Sequence, residues 1–344
     1  MKKLIYSVTL IFIIFLQLFF LSSCNENPVE QKPTYNFDTS RFVWQVTRLP
    51  GFEWIYSLWS PDTNEVLMTS WNNHLLHFKD GYITQINYGA NIHIASIDGL
   101  SKTEAYIAGA EVVNGKYTPH IERWNGNSFT NVFINYNFSD DFFVSHILVK
   151  SSSEIWISSP KGLIYNFDGF NLTQYRLPDT MLISLDLLYN EKNRISYLAV
   201  VFDSVMSNDK HYVFEFDGNN WMKVYEEKGA KYYGVINNMI YAYHYPDIIY
   251  KLQNYVLVPQ IYTPDNSGIE SIAGNSFENI MGFGLANGRS TFFHWNGIKW
   301  SDENIGDLYI SDILTRKMIN NNYFCATNSG FIDNPVLFRA IKKH

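Results

Sequence analysis

The chain has 344 residues, of which 46% are apolar and 17% charged. An ordinary apolar share with a charge share below the usual ~25% excludes a disordered or coiled-coil chain, and two cysteines exclude a disulfide scaffold. With 26 basic against 33 acidic residues the net charge is −7, which argues against a nucleic-acid partner, and the 17% aromatic share favours strands.

Met1-Lys2-Lys3 is a short basic start, and Leu4 to Leu21 is nearly all apolar. A run of this length just suffices to cross a bilayer. Directly after it, Leu21-Ser22-Ser23-Cys24 resembles the box of bacterial lipoproteins. The small residues suit a signal peptidase, and the cysteine thiol takes the lipid. The following Asn25-Glu26-Asn27-Pro28-Val29-Glu30 holds none of the basic residues that flank a stop-transfer helix. The resemblance implies that residues 1–23 are a signal peptide and that Cys24 carries acyl chains such as palmitate. Firm anchoring follows, since each buried CH₂ adds about 0.8 kcal/mol. Asn25 in place of Asp implies an outer-membrane lipoprotein. Residues 24–40 are polar, contain two prolines and show no periodicity, so they read as a flexible tether. Cys325 is then the remaining thiol, expected as a buried apolar filler.

Residues 41–344 repeat one unit. An alternating strand leads into an aromatic residue or Lys, then Asp or Asn, then Gly, then a second strand. The copies are centred on Asp80-Gly81, Asn125-Gly126, Asp168-Gly169, Asp217-Gly218 and Asn296-Gly297. Asp-Gly and Asn-Gly supply the positive φ angles of a tight hairpin turn. Successive copies lie 45, 43, 49 and 79 residues apart, and the last gap predicts a degenerate copy midway, at Ile249–Tyr255. A strand-only period of about 40–50 residues is that of a propeller blade. Two further strands precede each motif, for example Glu104–Gly109 and Ile147–Val149, which makes four per unit.

The ends predict closure. The last repeat, around Val336–Ala340, stops without a fourth strand, while Trp44–Pro50 has no first three. The latter ends Arg48-Leu49-Pro50, as the fourth strand of the third unit ends Arg176-Leu177-Pro178. The expected fold is therefore all-β: a seven-bladed β-propeller of four-stranded antiparallel blades, the last blade closed by the N-terminal strand. The chain resembles bacterial propellers whose blades carry an aromatic-Asp/Asn-Gly-x-x-Trp turn, often found on lipoproteins. That motif specifies a blade and not an activity.

Catalytic signatures are sparse. Gly282–Gly288 has the wrong spacing for a dinucleotide loop and lacks a following helix. Ser96-Ile97-Asp98-Gly99 is a poor fragment of the sialidase turn, and the eight arginines, several of them in outer strands, are too few for a substrate-carboxylate cluster. The histidines lack metal-ligand spacing. Asp265–Glu270 lacks the alternating ligands of a full calcium loop and reads as a polar turn. No cofactor and no metal are expected. Asp140, Asp141, Asp203, Asp209, Asp247, Asp265 and Glu270 fall near predicted loops and could supply a glycosidase pair, so a carbohydrate-active enzyme (glycosidase, lyase or glycosyltransferase-labelled propeller) is the alternative. Trp124, Phe167, Phe216 and Trp295 recur at one blade position and read as packing. Loops between second and third strands should ring one mouth of the axial channel, and Trp71, Asn73, Tyr117, His244 and Tyr245 fall there as candidate ligand contacts. The expected function is a non-catalytic binding or scaffolding module in the cell envelope. Its partners would be the membrane, through the lipid, and a glycan, peptidoglycan or envelope protein.

Overall fold

A computed structural model describes residues 27–28, 35–38, 41–49, 54–70, 74–86, 92–134, 142–178, 182–190, 194–202, 208–229, 232–244, 248–264, 267–286, 289–303, 312–319, 322–328 and 336–343. The repeated turns set its architecture. Asp80 and Gly81 lie at φ 51° and 91° and join Lys79 to Tyr82 in the expected two-residue turn. The degenerate copy turns the same way through Asn254 and Tyr255, at φ 49° and 64°. The other four copies differ from expectation, because each connection is four residues long. The side-chain oxygen of Asn125, Asp168, Asp217 or Asn296 accepts the backbone N–H groups two and three residues on, at 2.7–3.1 Å. The side chain thus takes the place of a backbone turn, and the glycine that follows supplies the positive φ.

These turns and the alternation around them build seven four-stranded antiparallel units among the described residues. Unit one is Ile55–Trp59, Glu65–Ser70, Leu75–Lys79 and Tyr82–Ile86; unit two is Ile92–Ser101, Glu104–Val113, Lys116–Trp124 and Phe129–Ile134. Unit three is His146–Ser151, Glu154–Ser159, Leu163–Phe167 and Leu172–Arg176; unit four is Ile183–Tyr189, Ile195–Val201, Lys210–Phe216 and Trp221–Lys228. Unit five is Tyr232–Ile236, Met239–His244, Ile248–Gln253 and Val256–Tyr262; unit six is Ser267–Ser276, Asn279–Ala286, Arg289–Trp295 and Trp300–Glu303. Unit seven is Asp312–Ile319, Asn322–Asn328, Val336–Lys342 and, from the other end of the chain, Phe42–Arg48. That N-terminal strand pairs with Val336–Lys342 from Phe42↔Lys342 to Arg48↔Val336. The two Arg-Leu endings do the same work: Leu49 and Leu177 are both buried, each where its unit meets the next.

Within the stretch read as a tether, two short pieces are paired. Asn27–Pro28 lies along the outer strand of unit one, and Tyr35–Asp38 along Phe42–Arg48. Gly282 and Gly284 belong to a strand paired on both sides, not to a phosphate loop. A Cβ at Gly284 would collide with the Gly268 carbonyl, which explains the residue choice.

Alternation sends one face of each unit to the preceding unit and the other to the following one. Seven apolar clusters result, one per seam between units. Six have nine to twelve fully buried members. The seam between units four and five has four: Leu188, Leu198, Val213 and Ile240. Trp124 and Phe167 are buried in these seams, as their recurrence predicts, and Cys325 is fully buried in the seam between units six and seven.

Candidate functional site

The first strand of each unit is the inner one. Six of these strands carry a β-bulge beside a polar residue: Ser57, Ser96, Ser151, Asp186, Ser271 and Thr315. A bulge re-aims a side chain, and in units one and two it brings a serine hydroxyl to the next inner strand. Ser57 Oγ accepts the Ile97 N–H at 3.3 Å, Ser96 Oγ the Ile147 N–H at 3.2 Å, and Asp98 Oδ2 the Val149 N–H at 2.9 Å. Ser96-Ile97-Asp98-Gly99 is therefore a lacing strand between units one, two and three, and not a sialidase turn.

The inner strands enclose a cavity of about 1000 Å³. In units one, two, three and six only the inner strand lines it. In unit four the lining runs outward along Leu198 and Val200 to Phe202, Asp209 and His211, opposite Tyr233 and Val235 of unit five. Inner strands of neighbouring units lie against one another around the ring, except that Ile183–Tyr189 and Tyr232–Ile236 make the sparsest approach among the described strands. The cavity thus spreads from the axis into the thinnest seam.

Its electrostatics are acidic. Asp98, Asp186, Asp209 and Glu270 line it, against one lysine, Lys150. Burial pulls the His146 imidazole below its ordinary range, opposed by the Asp186 carboxylate and the Ser184 backbone. His211 Nε2 donates to the Gly229 carbonyl at 3.1 Å, and its ring lies 4.7 Å from that of Tyr233. Burial pushes the Tyr233 phenol up to about 12 and raises Tyr56 as well.

Most of the sequence-predicted residues lie outside the described part of the chain. Cys24, Trp71, Asn73 and Tyr245 lie outside the described residues, and His244 ends a strand of unit five with its side chain outside the description. Tyr117 is the second residue of the third strand of unit two, is partly buried, and its ring lies 4.4 Å from that of Phe143; it is not part of the cavity lining. Of the candidate carboxylates, Asp209 and Glu270 line the cavity from units four and six. Asp140, Asp141, Asp203, Asp247 and Asp265 lie outside the description. Among the described residues no three metal-ligating groups converge. His77, three residues from His74, is buried against Glu65 at 2.7 Å inside unit one. The aromatic and charged inner-strand residues Tyr56, His146, Tyr232 and Tyr233 escaped the sequence reading. A signal for the inner strands exists in the recurring Ile-x-Ser/Thr at Ile55, Ile94, Ile269 and Ile313.

Solved structures share this arrangement. YCF48 bound to D1 peptide aligns at TM-score 0.64 and 13% identity, over 90% of this chain and 100% of that one. A chain of the mitotic checkpoint complex aligns at 0.60 and 11%, over 92% and 96%. The propeller domain of the trilobed protease from Pyrococcus furiosus aligns at 0.56 and 10%, over 86% and 96%. The chain is a β-propeller. At these identities the likeness is one of fold. Neither a protein-family model nor a curated protein matches the sequence.

Proposed function

We propose that this propeller is a lipid-anchored, non-catalytic binding module of the cell envelope, and that it holds a segment of a protein partner in its axial cavity. The observation that carries the reading is the cavity itself. It has the size of a ligand site, apolar walls and a few inward polar groups. Its acidic side chains come from units two, four and six, and two of them are engaged by backbone N–H groups, Asp98 by Val149 and Asp186 by Leu187. A propeller of like fold, YCF48, is bound to a peptide, which agrees with a protein ligand. The lipoprotein box at Leu21–Cys24 supports the anchoring half, and Asn25 the outer membrane.

The test has two arms. Cys24→Ser is expected to move the protein from the membrane to the soluble fraction after a salt wash; a variant still membrane-bound contradicts anchoring. Ser57→Trp, which fills the cavity from unit one, is expected to abolish capture of envelope proteins by the purified chain. Turnover on a glycan panel, lost on one Asp→Asn change, would replace binding by catalysis, and retention on a glycan array alone would replace the protein ligand by a sugar.

A further inference from the structure

Among the described residues, the seam between units four and five differs from the other six in three ways. Its apolar cluster is the smallest, its inner strands stand furthest from contact, and the axial cavity runs into it. Elsewhere the edge of each inner strand is covered by its neighbour, through contacts such as Ser57 to Ile97, Ser96 to Ile147 and the Ile236↔Gly274 bridge. Ile183–Tyr189 pairs with only one strand of its own sheet, and where unit five should cover its other edge the cavity lies instead. A strand edge facing a slot is what an extended peptide backbone pairs with.

The walls define the side chains that would enter. Leu198 and Val200 back the slot as buried core, and the partly buried Val235 and Tyr233 face into it, so the slot favours a large apolar group. Phe202 and Tyr232 stand at its rim, 59% and 48% exposed, with apolar surface that a bound chain would cover. Four carboxylates against one lysine make the cavity complementary to a cation.

We infer that this seam receives an extended segment of a partner protein, seating a large apolar side chain against Tyr233 and Val235 and an adjacent lysine or arginine toward Asp209 and Asp186. This rests on the reading that the cavity binds a protein segment, and it assigns that segment a place and a composition.

A displayed random octapeptide library panned over the detergent-solubilised full chain tests it. Enrichment of Lys or Arg beside Phe, Tyr, Leu or Ile is expected. An enriched peptide should bind roughly tenfold or more weakly to Asp209→Asn, the loss of about one charge-assisted contact. Its analogue with norleucine for the basic residue should bind both proteins alike. The double change Phe202→Ala and Tyr232→Ala, at exposed sites that leave the core intact, should weaken both peptides, and it decides the placement if Asp209→Asn fails to fold. Enrichment of acidic or uncharged peptides overturns the composition. Binding indifferent to the rim changes but lost in Ser57→Trp overturns the seam while the cavity reading stands. A library without any enrichment overturns both.

Discussion

The ring of Trp44, on the strand that closes unit seven, lies 4.6 Å from the ring of Phe292 in unit six. Trp44 is fully buried, and Phe338 of the C-terminal strand lies 6.5 Å from it and 5.6 Å from Phe292, so the three rings pack as one group. One side chain therefore joins the closing strand, its hydrogen-bonded partner and the neighbouring unit. Trp44→Ala should cost about 3–5 kcal/mol in urea unfolding, the usual loss for a buried aromatic. Trp44→Phe should cost much less, since Nε1 is buried with no hydrogen-bond partner among the described residues. Equal losses for the two would mean that the indole, and not the apolar volume, holds the ring shut.

His294 sits beneath the edge of Phe42, at 4.9 Å, and shares a 2.8 Å hydrogen bond with Asn279 Oδ1. Burial, with Arg41 and Lys342 nearby, lowers its pKa to about 4. Above pH 6.5 the ring is neutral in both folded and unfolded chains. Between 6.5 and 4 the unfolded chain takes up a proton that the folded one refuses, so stability falls across that window by about 3 kcal/mol. His294→Gln keeps a donor for Asn279 and cannot be protonated. It should flatten the pH dependence of urea midpoints between 6.5 and 4, and an unchanged slope would assign the loss to other groups.

The parts of this fold legible in the sequence are local ones. Asp217 and the N–H groups of Asn219 and Asn220 make a turn within four residues, so the repeat announces itself. The closing strand was legible because Arg48-Leu49 copies Arg176-Leu177, and each leucine plugs an equivalent seam. The cavity was not, because its polar groups act between units: Ser57 meets Ile97, 40 residues on. Nor does composition show that Ile183–Tyr189 and Tyr232–Ile236 stand apart, since that depends on packing summed over two whole units. Aromatic loops drew attention to Tyr117, whereas the lining aromatics Tyr56, Tyr232 and Tyr233 lie on inner strands.

Four equivalent turns offer an internal control on acid sensitivity. Asp168 and Asp217 accept backbone N–H groups, from Asn171 and Phe170 and from Asn220 and Asn219, and these hold both carboxyls below their ordinary range. A lowered folded pKa contributes stability that is present above the unfolded value of 3.8 and is lost as pH falls through the folded one. Units two and six use Asn125 and Asn296 at the same place, so an amide serves the geometry equally. The double change Asp168→Asn and Asp217→Asn should leave melting at pH 7 nearly unchanged and make the protein relatively more resistant below about pH 4. This window lies below that of His294, so the two contributions separate in one titration. A double variant that melts early at pH 7 would show that the charge, and not the acceptor, makes the turn.

The thin seam is bridged by a buried carboxylate. Glu215 of unit four accepts a hydrogen bond from Tyr255 of unit five at 3.0 Å and another from Asn190 at 2.8 Å. Tyr255 occupies the degenerate turn at φ 64°, a conformation that costs a non-glycine residue about 1–2 kcal/mol. Its hydroxyl therefore offsets strain in its own backbone. Tyr255→Phe keeps the strain and loses a bond to a charged group, a net loss of about 1.5–3 kcal/mol. Tyr255→Gly loses the same bond but relieves the strain, so it should be the milder change, an inversion of the usual order for a glycine substitution. Because both residues bridge units four and five, the effect should be local. Amide exchange of Tyr232–Ile236 should quicken in Tyr255→Phe while that of Ile55–Trp59 stays as it was. Uniform quickening around the ring would show that the propeller opens as one cooperative body and that this seam is no easier to part than the other six.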